Sequence, residues 1–215
     1  MSTPSPRLVL ATHNAGKLRE LRELLRGQVP GLDVDTQVVD AAAAGAPDVV
    51  ETGVTFAENS LLKARAVAGA TGLVAIADDS GLAVDVMGGA PGIFSARWAG
   101  RHGDDAANLE LLLNQLSDVP DEHRGAAFVC AAALAVPAGS TAVGREVVEY
   151  GQLEGMLLRE PRGAGGFGYD PVLQPAGENR SCAELSADEK NAISHRGKAF
   201  RALLPSIVAA LEATD

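Results

Sequence analysis

The stretch that decides the fold is LVAIADDSGLAVD, residues 73–85. Its first apolar run stops at two adjacent acids, Asp78 and Asp79, and a second apolar run begins after Ser80 and Gly81. A short apolar run bounded by turn residues predicts a buried strand. We therefore expect two carboxylates at the C-terminal end of that strand, which is where open α/β sheets bind their ligands.

Upstream of this stretch the sequence predicts alternating strands and helices. Residues 7–11, RLVLA, read as a short buried strand, and a helix with leucines on one face follows the polar turn after it. Thr55 and Glu58 have the spacing of a capping box, so a helix is expected from there to about residue 70, with Gly72 ending it.

Downstream, the pattern changes to hairpins and then to helices. Residues 126–136 predict a continuous buried strand, and the turn PAGS leads to a second strand in residues 146–154. Further helices are expected from about residue 104, from a second capping box at Ser186 and Glu189, and over residues 197–212 with an interruption at Pro205. The whole pattern predicts an α/β fold on a mixed sheet.

Composition excludes several classes of protein. Residues 1–215 fit a single domain, in which we expect residues 1–7 to be a flexible tail. The net charge of -10 argues against a nucleic-acid partner. No apolar run is long enough for a membrane helix, and the N-terminus has no secretory signal pattern. Cys130 and Cys182 lie far apart without nearby Cys or His partners, which argues against zinc or a disulfide framework and suits a reducing cytoplasm.

The acid pair has two chemical interpretations and one structural one. Neighbouring residues of a strand point to opposite faces, so only one of Asp78 and Asp79 needs to face a crevice. A carboxylate there could bind Mg²⁺ or accept a proton from an attacking water. Alternatively the two acids only end a strand and start a turn.

Three further segments carry candidate binding chemistry. The loop ATHNAGK, residues 11–17, precedes a helix, whose free N-terminal amides and Lys17 would attract an anion; the alternative is an ordinary βα loop with a surface lysine. The loop RGAGGFGYD, residues 162–170, lacks the strand and helix of a dinucleotide site and could deliver Phe167 to a flat ring, or it is a tight turn beside a core aromatic. The cation cluster EKNAISHRGK, residues 189–198, could contact phosphate, or it is a solvated helix start.

Taken together, four segments resemble the Ham1/RdgB-type inosine triphosphate pyrophosphatase family. They are LATHNAGKLREL, ETGVTFAENSLLKA, ADDSGLAVDVMGGAPGIFSARWAG, and GGFGYDPVL with AELSADEKNAISHRGKA, and they follow the family's order from about residue 8 to 201. The resemblance implies a two-lobed α/β fold of the Maf/Ham1-like type. In it a long mixed β-sheet has flanking helices, the substrate cleft lies between the lobes, and the chain is usually a homodimer.

The same resemblance implies a Mg²⁺-dependent enzyme that cleanses the nucleotide pool by hydrolysing ITP, dITP and XTP to the monophosphate plus pyrophosphate. Asp79 would bind Mg²⁺ and act as the proposed proton acceptor, with Ser80 beside the substrate. The residues that would hold the triphosphate are Thr12, His13, Asn14, Ala15, Gly16 and Lys17. The residues that would form a wall of the nucleoside pocket are Phe167, Gly168, Tyr169 and Asp170. The residues that would contact the base and the phosphates are Lys190, His195 and Arg196.

One departure from the family pattern leaves alternatives open. Family members often carry an acidic pair before TG, whereas this chain has Val50-Glu51. Either Glu51 is a second metal ligand through a small shift, or the metal relies on Asp79 and water. A Maf-like nucleotide pyrophosphatase of other base specificity is the nearest rival, although SHRGKA and FGYDP argue against it. A catalytically weak nucleotide-binding protein is the other alternative, and only Val50 points to it.

Overall fold

The computed structural model describes residues 5–12, 14–137 and 145–213. Its strands are β1 (Leu8–Leu10), β2 (Val38–Asp40), β3 (Val74–Val84), β4 (Gly125–Ala135), β5 (Glu146–Leu157) and β6 (Leu173–Pro175). Its α-helices are α1 (Ala15–Leu25), α2 (Val34–Gln37), α3 (Phe56–Thr71), α4 (Asp105–Gln115), α5 (Ala187–Ile193) and α6 (His195–Glu212). Within these described residues no helix is both long and apolar enough to cross a membrane.

The strands form one six-stranded sheet in the order β2-β1-β3-β4-β5-β6. Strand β1, next to the edge strand β2, is parallel to both its neighbours, with Leu8 opposite Val38 in β2 and opposite Val74 in β3. At the other edge β5 and β6 are antiparallel, with Gly155 opposite Pro175. The presence of both kinds of pair, together with the flanking helices, confirms the predicted α/β fold on a mixed sheet.

The chain divides into two compact units. The first unit consists of Met1–Asp79, Ala131–Tyr150 and Ala199–Asp215, and the second consists of Ser80–Cys130 and Gly151–Lys198. Each unit contains a hydrophobic cluster of its own. The cluster of the first unit is built mainly of alanine: Val9, Ala64, Val67, Ala68, Ala75, Ala77, Ala133 and Ala135. Side chains this small allow α3 to pack closely on the sheet.

A buried arginine ties together three elements of the second unit. Arg124 is 2% exposed and donates hydrogen bonds to the carbonyl oxygens of Leu157 (2.9 Å) and Leu158 (2.9 Å), at the end of β5. A third bond, of 2.7 Å, goes to the carbonyl of Leu116, the C-cap of α4. Because helix C-termini leave carbonyl groups without intrahelical partners, this guanidinium satisfies an acceptor that water cannot reach.

Several predicted helix ends are confirmed. Thr55 caps α3 by accepting a hydrogen bond from the Glu58 amide, although the Glu58 carboxylate accepts from Val54 rather than from Thr55. Gly72 ends the helix with a φ of 69°, a left-handed conformation that favours glycine. Ser186 and Glu189 form the full capping box at the start of α5.

Other predictions were wrong. The acids do not end a strand, because β3 continues through them to Val84; their charges have polar partners, described below. Helix α6 is not interrupted at Pro205, since buried Leu203 and Ile207 anchor it on both sides of the proline. Of the predicted tail, residues 1–4 lie outside the described residues, as does most of the PAGS turn.

Candidate active site

Buried Asp78 and partly buried Lys17 form an ion pair in the first unit. The Lys17 ammonium lies 2.9 and 2.8 Å from the two carboxylate oxygens of Asp78, which is only 3% exposed. The sequence predicted that Lys17, in the first turn of α1, attracts an external anion. In this structure the anion that pairs with Lys17 is Asp78 of β3. The pair therefore joins the start of α1 to the middle of β3.

The start of α1 is capped by its own loop. Asn14 accepts hydrogen bonds from the amides of Gly16 (2.8 Å) and Lys17 (3.3 Å), and Thr12 accepts one from the amide of Asn14. The prediction that these amides are free for a ligand is therefore wrong for Gly16 and Lys17, because a good N-cap residue satisfies them first. His13 lies outside the described residues, and Ala15 is the first residue of α1.

Asp79 has different partners from Asp78. Asn59 of α3 donates a 3.0 Å hydrogen bond from Nδ2 to Asp79 Oδ2, and the Lys63 ammonium lies 3.9 Å from Asp79 Oδ1. Asn59 itself is buried, and its Oδ1 accepts from the amide of Gly53. The predicted division of the acid pair between two faces of the strand agrees with these contacts: Asp78 is bound by α1 and Asp79 by α3.

Lys63 connects Asp79 to Glu51. Its ammonium lies 2.5 Å from Glu51 Oε1, so one cation is placed between two carboxylates. Burial raises the pKa of Asp79; Lys63 opposes this shift, and the nearby charge of Glu51 adds to it. A half-buried carboxylate with a raised pKa is typical of groups that exchange protons in catalysis.

The composition of this group fits an additional cation. Glu51, Asp78 and Asp79 are three carboxylates, whereas Lys17 and Lys63 are two ammonium groups, so the group carries a net negative charge. Within residues 5–12, 14–137 and 145–213, no three His, Cys, Asp or Glu side chains are arranged to hold a metal by themselves. Mg²⁺ does not require such a cage, because it commonly uses one or two carboxylates with water and substrate phosphates.

The second unit holds Phe167, Asp170 and Lys190 together. Buried Asp170 accepts a 2.8 Å hydrogen bond from the amide of Phe167 and forms an ion pair with the Lys190 ammonium. The same ammonium lies 4.9 Å from the centre of the Phe167 ring, a cation–π contact. Phe167 is nevertheless 62% exposed, so its ring is available to a flat ligand.

Gly168 and Tyr169 form hydrogen bonds to other segments of the second unit. The amide of Gly168 donates a 2.8 Å hydrogen bond to Asp105 Oδ2 at the start of α4. Tyr169 is buried, and its hydroxyl donates a 2.9 Å bond to the carbonyl of Ser95. Burial, reinforced by the charge of Asp105, raises the pKa of Tyr169, so this hydroxyl stays a donor. Residues 169–172 form a turn, and β6 begins at Leu173.

The other predicted site residues, His195, Arg196 and Ser80, lie at the start of α6 and in β3. His195 begins α6, and its ring stacks on Phe128 with centroids 5.2 Å apart. Arg196 is half-buried in the first turn of the same helix, and Ser80 is half-buried in β3 directly after Asp79.

Two residues at the acid pair were missed by the sequence interpretation. Asn59 and Lys63 stand four residues apart on α3, so they lie on one face of the helix, and both reach Asp79. Both are part of the quoted segment ETGVTFAENSLLKA. The signal that could have revealed them is the spacing of these two polar residues on a helix whose other buried residues are mainly small or apolar.

Comparison with known proteins adds the family. The chain is 67% identical over 201 residues to a protein of Streptomyces coelicolor named dITP/XTP pyrophosphatase, covering 94% of this chain and 96% of the relative. Its fold is similar to a HAM1 protein from Coxiella burnetii, with a TM-score of 0.83, 41% identity, and 95% and 99% of the two chains covered. It is also similar to a nucleoside-triphosphatase / dITP/XTP pyrophosphatase from Mycobacterium abscessus, with a TM-score of 0.74, 50% identity, and 93% and 99% covered. The model of the Ham1 family matches residues 8–206, and the chain belongs to this family.

Proposed function

We propose that this protein hydrolyses non-standard purine nucleoside triphosphates, namely ITP, dITP and XTP, to the monophosphate and pyrophosphate, and so cleanses the nucleotide pool. The observation that carries the proposal is the environment of Asp79: a desolvated carboxylate beside one amide and one ammonium group, in a chain 67% identical to a protein named dITP/XTP pyrophosphatase. Water attacks the phosphoric anhydride between the α- and β-phosphates, and pyrophosphate leaves.

Asp79 is the residue we propose to accept the proton of the attacking water. A raised pKa makes its carboxylate a stronger base, provided that it is ionised at the working pH. Asn59 fixes one carboxylate oxygen by a hydrogen bond, which leaves Oδ1 directed toward Lys63. The chain thus supplies an oriented base, and positioning is a large part of what such a hydrolysis requires.

We propose Mg²⁺ as the cofactor, with Asp79 and Glu51 as its protein ligands. Bound Mg²⁺ would neutralise charge on the phosphates and polarise them toward attack. The net negative charge of the Glu51, Asp78 and Asp79 group and the raised pKa of Asp79 support a cation there. Lys63 separates the two carboxylates, so we expect its ammonium to turn toward substrate phosphates when the metal binds.

We assign triphosphate binding to the α1 loop and nucleoside recognition to the second unit. The proposed triphosphate-binding residues are Thr12, His13, Asn14, Ala15, Gly16 and Lys17, with Ser80 beside the substrate. The proposed nucleoside-binding residues are Phe167, Gly168, Tyr169 and Asp170, with Lys190, His195 and Arg196 contacting base and phosphates. A donor directed at the 6-oxo group would be left unpaired against the 6-amino group of ATP, which costs about 1–3 kcal/mol.

A substrate panel tests the proposal. Purified protein with Mg²⁺ is incubated with ITP, XTP, ATP, GTP and pyrimidine triphosphates, and pyrophosphate and phosphate are quantified separately. We expect pyrophosphate from ITP and XTP and little from the others. Turnover confined to modified pyrimidine nucleotides would indicate a Maf-like specificity instead, and binding without turnover would indicate a nucleotide-binding protein. Either outcome would overturn the proposal.

We also propose a cytoplasmic homodimer organised as one two-lobed domain. The location is supported by Cys130 and Cys182, which are both buried free thiols, as expected in a reducing compartment. Burial raises the pKa of Cys182 to about 12, which keeps this thiol unreactive. Light scattering coupled to size-exclusion chromatography tests the assembly, and a monomeric mass at working concentration would contradict it.

A further inference from the structure

The turn from Gly166 to Asp170 depends on side-chain anchors in addition to its own backbone. Gly166 and Gly168 have φ values of 72° and 61°, and glycine at such positions leaves an unanchored chain many alternative conformations. The turn has one backbone hydrogen bond of its own, from the Asp170 amide to the Phe167 carbonyl. The direction of the exposed Phe167 ring therefore depends on the groups that hold its neighbours.

Asp105 is such a group: it lies in the first turn of α4, and its carboxylate accepts a hydrogen bond from the turn. The side chain that caps α4 belongs to Asp104, whose Oδ1 accepts from the amide of Ala107 at 3.2 Å. Asp105, one residue later, directs Oδ2 to the amide of Gly168 at 2.8 Å. An ionised acceptor makes this bond stronger than a bond between neutral groups.

The two carboxylates that hold the turn act on adjacent amides. Asp170 accepts from the amide of Phe167, and Asp105 accepts from the amide of Gly168. Together they fix the peptide planes on both sides of the Phe167 side chain. Asp170 also binds Lys190, so its removal would disturb several contacts. Asp105 offers a cleaner test, because its one hydrogen bond to this turn is to Gly168 and its other effect there is the charge that it places near Tyr169.

We infer that Asp105 is a positioning residue for nucleoside recognition: its hydrogen bond to Gly168 orients Phe167 for stacking on a purine. The inference rests on the proposed function. Asp105 touches neither phosphate nor metal in this scheme, so its loss should weaken binding of the base and leave binding of the phosphates unchanged. Stacking of a base on an aromatic ring depends on the orientation of that ring.

Three variants separate this role from a general effect of charge or helix stability. Asp105→Ala removes the acceptor. Asp105→Asn keeps a neutral acceptor and should restore part of the effect. Asp104→Asn is the matched control, because asparagine is an equally good N-cap and the substitution removes a neighbouring charge without touching Gly168. The readouts are the dissociation constants of inosine 5′-monophosphate, which has a base, and of inorganic tripolyphosphate, which has none.

We expect Asp105→Ala to weaken inosine monophosphate binding by about five-fold or more, a modest part of the energy of one stacked base, and to leave tripolyphosphate binding unchanged. Equal weakening of the binding of both ligands, or an equal effect of Asp104→Asn, would overturn the inference.

Hydrogen exchange at the Gly168 amide gives a readout independent of any nucleotide. Exchange should be faster in Asp105→Ala than in the wild type and in Asp104→Asn, and unchanged exchange would refute the anchor even if the wild type hydrolyses ITP. Faster exchange in a protein that does not hydrolyse ITP would leave the anchor standing while the proposed function fails.

Discussion

At the scale of single residues, Asp78 and Asp79 should affect stability in opposite directions. Because the folded protein raises the pKa of Asp79, the unfolded chain ionises this group more readily than the folded protein does. The stability that this raised pKa contributes is present at low pH. It is lost as the pH rises through the pKa that Asp79 has in the folded protein. At neutral pH the ionised Asp79 therefore destabilises the fold, whereas ionised Asp78 stabilises it by pairing with Lys17.

We predict that Asp79→Asn abolishes turnover while raising the melting temperature, because asparagine removes a desolvated charge and still offers an acceptor to Asn59. Asp78→Asn should lower stability by about 1–3 kcal/mol, since it leaves Lys17 without its carboxylate, and should cost less activity. Thermal unfolding and steady-state kinetics of both variants check this. A destabilised Asp79→Asn, or equal losses of activity, would contradict the assigned roles.

The neighbours of Asp79 should set the pKa of its carboxyl group in the metal-free protein. Lys63 lowers the pKa of Asp79 and Glu51 raises it. Lys63→Gln should therefore raise the pKa of Asp79, and Glu51→Gln should lower it, because each substitution removes one of these two charges. The carboxyl group is titrated by ¹³C NMR in the absence of Mg²⁺. Shifts in the same direction would contradict the placement of Lys63 between the two carboxylates.

The sequence predicted that the two acids face different ways, because the pleat of a strand follows from the backbone alone. It could not predict Lys17 as the partner of Asp78, since the two are 61 positions apart and only the fold brings them together. The roles of Asn59 and Lys63 were missed for the same reason. Their spacing was visible, but what lies opposite that face of α3 was not.

At the scale of elements, local signals predicted helix starts well and strand ends poorly. The capping residues Thr55 and Ser186 act through bonds to amides three positions away, which the sequence displays directly. The continuation of β3 through Asp78 and Asp79 places these acids against partners from α1 and α3, which the local sequence does not display. In α6, packing on both sides of Pro205 outweighs one missing backbone donor.

Arg124 should be the costliest arginine to replace in the second unit. We predict that Arg124→Met lowers the free energy of unfolding by about 3 kcal/mol or more, because three carbonyl groups, two of them in fully buried hydrogen bonds, lose their donor. Arg159→Met is the matched control: Arg159 is exposed, its partners include Asp121, and its loss should cost less than about 1 kcal/mol. Urea denaturation monitors both variants, and equal costs would refute the argument.

At the scale of the whole molecule, three strands belong to both units. The divisions of the chain fall within β3, β4 and β5, so the same hydrogen-bonded strands continue from one hydrophobic cluster to the other. A partial unfolding that removed one unit would have to break these strands in the middle.

We therefore predict that the protein unfolds in a single transition. The fluorescence of Trp98, the sole tryptophan, reports on the second unit, where its indole donates to Gln115. Far-UV circular dichroism is dominated by α1, α3 and α6, which lie mainly in the first unit. Both probes should give the same urea midpoint, and Arg124→Met should shift both equally. Separate midpoints would show that the units unfold independently.

The alanine cluster of the first unit has a consequence for how this enzyme can change over time. Ala64 and Ala68 of α3 belong to the same cluster as Ala75 and Ala77 of β3, and the two elements also carry Lys63 and Asp79. Any larger side chain between them would push the helix outward and carry its ammonium away from the carboxylate. The groups that we propose to react are thus held in place by residues that take no part in the chemistry, and we expect larger side chains to be poorly tolerated at these alanines.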